Sequence, residues 1–384
     1  MNKLSYNRLR HVTMAIAADT LWRIPGSFGI ARILGRSYSL RCVVFHNISD
    51  TQSPYTAGIK VSITPKKFED ALKFLTTHYS PVRLQDILTD CNGRGLPRRP
   101  LLVTFDDAYA SVAEWAAPLC HKYGVPAVFF VNAAFLDNQR LAPDNFVCYV
   151  ANMLGMEMIN AAIRVVPGYQ TLELHSLAAV FSTFFPAVSP AEREVFLDAL
   201  QQLSGLSRSR MAKDANLYLT SKQLRNLASF DFEIGNHTYT HTHCRCFSKQ
   251  DFVSEVDRNR SELEGLSGTK IRSFSQPYGS SKDLTSELAQ HLERSGHQAI
   301  FLSESVANPR RPDLFHLDRI STCAESDAAL FFEIEVMPRL RAIRNKIFQN
   351  SAPTRAIQVH SSANQHDSMH LDNHVKASDR RKRA

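Results

Sequence analysis

The chain has 384 residues, of which 44% are hydrophobic and 21% are charged. These fractions are typical of a soluble globular protein and exclude an intrinsically disordered chain. The formal net charge is +8, but much of it lies at the two ends, and the closing stretch KASDRRKRA has no aromatic residues among its charges. We therefore expect a solvated basic tail and no nucleic-acid partner.

The cysteines and the N-terminus bear on the cellular compartment. Seven cysteines are scattered along the chain without the paired spacing of a disulfide framework, which favours reduced thiols and a cytoplasmic protein. The stretch VTMAIAADTLWRI follows basic residues, as in a signal peptide, but Asp19 and Arg23 interrupt it and it is too short to span a bilayer. The N-terminal region has apolar residues spaced for one helical face: Leu4, Leu9, Val12 and Ile16. We expect an amphipathic helix, able to make peripheral contact with a membrane, and no convincing signal peptide.

The first part of the chain alternates strands and helices. LRCVVFHNI (40–48), RPLLVTFDD and VPAVFFVN are short apolar runs that predict buried strands. Between the first two, TPKKFEDALKFLTTHY predicts a helix with Thr64 as its N-cap and Pro65 at its first position. Between the last two, SVAEWAAPLCHKYG predicts a helix that ends at Gly124. This order predicts parallel strands joined by crossover helices.

Residues 141–225 break this order, because they have the pattern of consecutive helices, and we expect a helical insertion there. The alternation then resumes with the strands FDFEIGNH, IRSFSQPYG, QAIFLS and DLFHLDRIS, and with the helices SKQDFVSEVDRNRSELEGLSG and DLTSELAQHLERSG. From about residue 350 the chain is polar and histidine-rich, as disordered segments are. The expected parts are an N-terminal amphipathic helical extension over 1–38, an α/β domain over 39–345 and a basic, disordered tail over 346–384.

Three of the predicted strands end in residues suited to metal binding or catalysis. The carboxyl ends of parallel strands meet at one side of an α/β barrel, so we expect these residues to lie close together. They are the pair Asp106–Asp107 after LLVTF, His237 and His241 after FEIGN, and Pro277–Tyr278–Gly279 after RSFSQ. Two imidazoles and one carboxylate make a three-ligand set for Zn²⁺ or a similar divalent ion, with positions left for water and substrate. The second carboxylate would then stand where a general base is needed.

These residues carry a family resemblance. TFDD, HTYTH and FSQPYG, in this order, resemble the signature blocks of the polysaccharide deacetylases, the NodB-homology domain or carbohydrate esterase family 4. VVFHNI and SITPKKFEDALKFLTTHYSPVRLQDIL resemble the strand and helix that precede these blocks, so the resemblance covers roughly residues 40–325. It implies an α/β fold, a distorted (β/α) barrel of seven or eight strands, here with a helical insertion, and a NodB-like deacetylase domain over 39–345.

The implied activity is the metal-dependent removal of N- or O-acetyl groups from a glycan or a lipid-linked saccharide. By the resemblance, Asp107, His237 and His241 bind one divalent metal ion, with Zn²⁺ preferred and Co²⁺ or Ni²⁺ as alternatives. Asp106 is the implied catalytic base. The Pro-Tyr-Gly turn is the implied substrate contact, and the backbone N–H of Tyr278 is the implied oxyanion donor.

Two departures from the family pattern concern the base and its turn. Ala108 follows TFDD where the family usually has glycine; because alanine favours a negative φ, we expect a slightly different turn there. The block FSQPYG lacks the arginine that often orients the base. Arg319, in HLDRIS, resembles the arginine of a later block and is the candidate to hold Asp106 in its place.

A third departure concerns the general acid. The family's last block, leucine-x-x-histidine, has no clear counterpart; IQVH, ending at His360, is the nearest string but falls in the expected tail. His46 on the first strand is the other candidate acid. His243, Cys244 and Cys246 are rival metal ligands, but they lack the second pair that a structural zinc site needs. We expect the two thiols to be spectators and His243 to be a surface residue.

Two other functions remain open at this point. The same fold and metal would serve a deformylase or amidohydrolase acting on a small amide, such as a formylated amino sugar or a ureide. A carbohydrate-binding homologue that has lost turnover would explain the missing terminal histidine, but it would not need all four of Asp106, Asp107, His237 and His241. The chain has no glycine-rich phosphate loop, G-x-S-x-G elbow or second cysteine pair, which argues against an NTPase, a serine hydrolase and a zinc finger.

Overall fold

The computed structural model describes residues 39–90, 95–230, 232–309, 311–323 and 326–342, together with Thr20 and Arg23. Most of the expected N-terminal helix and all of the expected tail, including His360, lie outside the described residues. Within the described part of the chain, no helix is both long enough and apolar enough to cross a membrane.

The centre of the fold is a nearly closed barrel of eight parallel strands, which confirms the predicted fold class. In chain order the strands are β1 (Arg41–Phe45), β2 (Asn47–Ile48), β3 (Ser62–Ile63), β4 (Ser80–Pro81), β5 (Pro100–Phe105), β6 (Ala127–Val131), β7 (Glu233–Asn236), β8 (Ser273–Ser275), β9 (Ala299–Leu302), β10 (Leu317–Asp318) and β11 (Ile320–Ser321). Around the barrel the order is β10-β9-β8-β7-β6-β5-β1-β11. Outside that path, β4 pairs with β5, and β2 pairs with β3. Every one of these pairings is parallel.

One short segment joins the two ends of this strand order. β10 pairs with β9 and β11 pairs with β1, and only Arg319 separates β10 from β11. The sequence predicts a single strand over DLFHLDRIS, whereas the structure has a 3-10 turn at Leu314–His316 and then two strands of two residues. The strand is divided because the chain leaves β9 at Asp318 and joins β1 at Ile320.

Helices surround the barrel and fill the segment between β6 and β7. In chain order the α-helices are α1 (Pro65–His78), α2 (Leu84–Thr89), α3 (Ala117–Lys122), α4 (Pro143–Leu154), α5 (Met156–Ile163), α6 (Leu177–Ala179), α7 (Pro190–Ser204), α8 (Arg208–Ala215), α9 (Ser221–Ser229), α10 (Lys249–Ser267), α11 (Ser286–Arg294) and α12 (Asp327–Phe331). The predicted N-cap Thr64 accepts a backbone N–H in the first turn of α1, and Ser248 does the same in α10. The helices from α4 to α9 all fall between β6 and β7.

Alternate strand residues pack on opposite sides of the sheet. On one side, the ring centroid of Phe45 lies 5.0 Å from that of Phe68 on α1, and Phe105 stacks on Phe129 at 4.8 Å. The other side buries a separate apolar cluster that includes Cys42, Leu102, Phe130 and Phe301. Full burial of one phenylalanine contributes about 1.5–3 kcal/mol. These layers therefore hold the carboxyl ends of β1, β5 and β6 in fixed positions.

Candidate metal centre and catalytic base

Asp106 directly follows β5, and an arginine holds its carboxylate. Arg319 Nη1 donates to Oδ1 and Nη2 donates to Oδ2, each at 2.7 Å. The Ser275 hydroxyl accepts from the same Nη2 at 2.7 Å and donates to Oδ2 at 3.3 Å. Burial alone would raise the pKa of Asp106, but the Arg319 guanidinium, together with His237 and His46, holds that pKa below its ordinary value. Asp106 is therefore ionised at neutral pH and fixed in orientation.

The next residue, Asp107, meets two histidines. Asp107 Oδ1 lies 3.4 Å from Nε2 of His237 and 3.3 Å from Nε2 of His241. The other ring nitrogen of each histidine is engaged, since His237 Nδ1 donates to the Ser275 carbonyl at 2.7 Å and His241 Nδ1 lies 2.9 Å from a carboxylate oxygen of Asp144. These partners place a proton on each Nδ1, so both Nε2 lone pairs face Asp107.

This cluster has the donor set of a metal site. Asp107 Oδ1 is buried without a hydrogen-bond donor, and an unsatisfied buried acceptor costs roughly 1–3 kcal/mol. The three ligand atoms lie within 4.8 Å of one another, and among the described residues they form the group that could hold a metal. One divalent cation would satisfy all three atoms, and two imidazoles with a carboxylate suit Zn²⁺.

The charges of the cluster reinforce one another. Burial would raise the pKa of Asp107, but His241, His237 and His46 together lower it. Burial would lower the pKa of His241, but the carboxylates of Asp107 and Asp144 raise it. The site therefore keeps its carboxylates ionised, which is the state that binds a cation.

The backbone around the cluster is strained. The left-handed conformation, with φ between 52° and 71°, occurs at Asp107, Ala108, Thr238, His241 and Tyr278. Each such residue costs about 1–2 kcal/mol, and strain of this kind is concentrated at functional sites. The expected negative φ of Ala108 is wrong, because its φ is 56°. Hydrogen bonds hold it there: its carbonyl accepts from the Leu219 N–H at 2.9 Å, and the Ala110 N–H donates to the Leu217 carbonyl at 2.7 Å.

Tyr278 reaches the cluster with its side chain, a contact that the sequence motif does not indicate. Its ring centroid lies 4.9 Å from that of His241 and 3.6 Å from that of His243, on which it stacks at 6°. Its hydroxyl donates to Asp144 Oδ1 at 2.8 Å. Asp144, near the start of α4, was not singled out from the sequence, because an acidic residue in a first helical turn is an ordinary feature.

The rest of the Pro-Tyr-Gly turn shapes the backbone. Gly279 has a φ of 64°, and a Cβ there would lie 2.5 Å from the backbone nitrogen of Ser303, so the turn needs glycine. The Gly279 N–H closes the turn on the Gln276 carbonyl at 3.0 Å. Tyr278 and Gln276 line the cleft over the cluster. Pro277 and Gly279 present Tyr278 to that cleft.

The rival ligands lie outside the cluster. His243 is 7% exposed and its Nδ1 lies 3.2 Å from Asp283 Oδ2, so the expectation that it is a surface residue is wrong. Its ring is packed under Tyr278 instead. Burial raises the pKa of Cys244 well above its usual range and that of Cys246 to about 11. Both are therefore protonated thiols at neutral pH and poor metal ligands.

A cleft of about 1260 Å³ opens above these groups. His46 lies on its lining with Asp106, and burial lowers the pKa of His46 although both aspartates of the site oppose this. The loop 58–61 contributes to its walls, as do residues 175–183 of the helical segment between β6 and β7. The walls are largely apolar, with Ile59 and Phe181 among the residues that line them.

The fold and the site together define a (β/α) barrel of the deacetylase type. The sequence profile of the polysaccharide deacetylases matches residues 93–297, more than half of the chain. The chain belongs to this family, and membership assigns it to hydrolases that act on amide or ester bonds. A search of curated proteins finds no match.

The chain is also similar to solved structures. The Streptococcus pyogenes deacetylase PplD, in complex with acetate, is 15% identical, with 77% of this chain and 98% of that chain covered at a TM-score of 0.51. IcaB from Ammonifex degensii is 17% identical, with 78% and 97% covered at a TM-score of 0.49. At 15% identity the likeness to PplD shows the barrel fold and nothing finer.

Proposed function

We propose that the protein is a metal-dependent hydrolase that removes acetyl groups from an acetylated glycan or a lipid-linked saccharide. The observation that carries this proposal is the pairing of an arginine-held carboxylate with a second carboxylate whose buried Oδ1 faces two histidine Nε2 atoms. Family membership supports the same activity.

Asp107, His237 and His241 would hold the metal ion, Zn²⁺ in the first place. When bound, such an ion supplies a Lewis acid that polarises the acetyl carbonyl and makes a nearby water more acidic. Asp106 accepts the proton of the attacking water, since it is ionised and Arg319 keeps its carboxylate from turning away. The backbone N–H of Tyr278 is the proposed donor to the oxygen of the tetrahedral intermediate.

The leaving nitrogen also needs a proton. Burial lowers the pKa of His46, so that this ring is neutral near pH 7 and holds no proton to give in the resting state. The proton delivered to the nitrogen is therefore the one that Asp106 took from water, passed on directly or through His46. Replacement of His46 by Gln separates the two routes: a large fall in the maximal rate assigns the relay to His46, and a small fall assigns delivery to Asp106.

The size of the cleft favours a saccharide over a small amide. Small-molecule pockets are typically about 300–1,000 Å³, and this cleft of about 1260 Å³ is larger. The intact pair of Asp106 and Arg319 argues against a homologue that only binds carbohydrate. A cytoplasmic location and membrane contact through the N-terminal helix stay predictions, which cell fractionation would test.

The direct test uses the purified full chain. We expect one equivalent of metal by elemental analysis and acetate release from N-acetylated oligosaccharides, with both lost in Asp107→Ala and His237→Ala. His121→Gln is the control, because His121 is exposed on α3 and its ring contacts Phe230. Wild-type protein without stoichiometric metal would refute the metal site, and metal without acetate release from any glycan would favour a small amide as substrate.

A further inference from the structure

Asp144 joins the helical segment between β6 and β7 to the candidate metal centre. It is the second residue of α4, and its side chain is 15% exposed. One carboxylate oxygen lies 2.9 Å from Nδ1 of His241, and the other accepts the hydroxyl of Tyr278 at 2.8 Å. Both oxygens thus face the site.

The two histidines are oriented by different kinds of partner. His237 Nδ1 donates to a backbone carbonyl, that of Ser275 at the end of β8. His241 Nδ1 has the Asp144 side chain, which α4 brings from outside the barrel path. A backbone carbonyl stays when side chains are changed, whereas a carboxylate can be removed by a single substitution. His241 is therefore the ligand whose orientation the chain can lose.

The contact between Asp144 and His241 determines which ring nitrogen of His241 carries the proton. A carboxylate at Nδ1 holds the proton there, and the lone pair of Nε2 then points at Asp107 Oδ1, 3.3 Å away. Without that partner the imidazole would divide between two tautomers, of which one carries its proton on the nitrogen that must bind the metal. The left-handed backbone of His241, with φ at 52°, adds no restraint on the ring itself.

Tyr278 holds Asp144 in place. Its ring lies between those of His241 and His243, at centroid distances of 4.9 and 3.6 Å. His243 is itself held by Asp283, 3.2 Å away, so the Tyr278 ring packs against a side chain that is fixed in position. The hydroxyl then leaves the Asp144 carboxylate little freedom to turn from His241.

We propose that Asp144 is a positioning residue that fixes the tautomer and orientation of His241, so that the segment between β6 and β7 completes the metal centre. The inference rests on the proposed function, because it assumes that a metal binds. Partners of this kind change metal affinity by about 10- to 100-fold.

The test is a titration of the full apo-protein with Zn²⁺ against a chromophoric chelator. We expect Asp144→Ala to bind about 10- to 100-fold more weakly than wild type. Asp144→Asn should stay close to wild type, because an amide oxygen still accepts from Nδ1–H. Tyr278→Phe should weaken Zn²⁺ binding less than Asp144→Ala does. Asp198→Ala is the matched control, since Asp198 is an exposed aspartate paired with Arg208.

Three results would overturn the inference. The first is wild-type affinity in a folded Asp144→Ala protein. The second is an Asp144→Asn protein as weak as Asp144→Ala, which would assign the effect to charge alone. If Asp144→Ala does not fold, the visible absorption of Co²⁺-loaded Asp144→Asn decides: an unchanged ligand-field spectrum supports the inference and a changed one contradicts it. Wild-type protein that binds no Zn²⁺ would refute the proposed function itself, and this result is distinct from the other three.

Discussion

Asp106 and Asp107 are neighbours in the chain but have opposite surroundings. Both oxygens of Asp106 have donors, from Arg319 and Ser275. Asp107 Oδ1 is buried and has none. Asp106 therefore has its polar partners within the chain, whereas under the proposed function a metal ion would be the partner of Asp107 Oδ1. Consecutive residues at a strand end point in different directions, so one strand can serve both purposes.

The largest expected effect comes from removing each carboxylate in turn. Asp106→Asn should lower acetate release by about 10²- to 10⁴-fold, the usual contribution of a general base. Asp107→Asn should lower it at least as much. Only Asp107→Asn should also lose Zn²⁺, because Asp106 is not among the three ligand atoms. Metal analysis and rates on the same samples make the comparison; metal loss in Asp106→Asn would mean that the two roles are shared.

The second-largest expected effect is a loss of stability on removing Arg319, the partner of Asp106. Arg319→Met leaves Asp106 buried without a counter-charge, which typically destabilises a protein by about 3–5 kcal/mol. The exposed pair of Arg208 and Asp198 is the control, and Arg208→Met should cost no more than about 1 kcal/mol. Urea unfolding measures both. Equal losses would show that the buried pair has no special role.

The same variant has a pH signature. Arg319 lowers the pKa of Asp106, so its removal raises that pKa and the acid limb of the rate profile should move to higher pH. In the wild type, the folded pKa lies below the unfolded value near 3.9. The pair therefore stabilises the protein above that pH, and its contribution disappears as the pH falls through the folded pKa. An unshifted acid limb in Arg319→Met would contradict this account.

Metal removal should act on one half of the site alone. At a free metal concentration of about 100 times the dissociation constant, binding stabilises the folded protein by about 2.7 kcal/mol. A chelator should therefore lower the free energy of unfolding of the wild type by that amount and leave Asp107→Ala unchanged. A chelator effect of equal size in both proteins would place the metal elsewhere.

The smallest expected effect concerns Ala108. Glycine relieves the left-handed strain of about 1–2 kcal/mol, but it adds about 0.4–1 kcal/mol of conformational freedom to the unfolded chain. The free energy of unfolding of Ala108→Gly should therefore rise by between zero and about 1.6 kcal/mol. Thermal unfolding would measure this, and a clear destabilisation would mean that the buried methyl group outweighs the strain.

The sequence predicts the parts of the site that lie within motifs. Asp107, His237 and His241 follow strand ends, and strands in register bring such ends together. Arg319 was identified as a partner for Asp106 because it lies in a block that resembles one of the family.

Other features of the site depend on contacts between residues far apart in the chain, and the sequence does not predict them. Asp144 meets His241 only because α4 packs over the barrel, and no local pattern encodes that contact. His243 looks like a loop residue, yet Tyr278 covers it. The φ of Ala108 is held by the hydrogen bond from Leu219 to Ala108 and by the bond from Ala110 to Leu217, both to residues far along the chain. Each miss is a case in which tertiary contacts override the local preference.

Arg319 stands between the two strands that close the barrel, so the segment that closes the barrel also supplies the partner of Asp106. A nascent chain synthesised only as far as β9 already contains every carboxylate and imidazole of the site. In such a chain Asp106 lacks the Arg319 guanidinium that orients its carboxylate and lowers its pKa. Under the proposed function, such a chain lacks the oriented base, and we expect it to release no acetate.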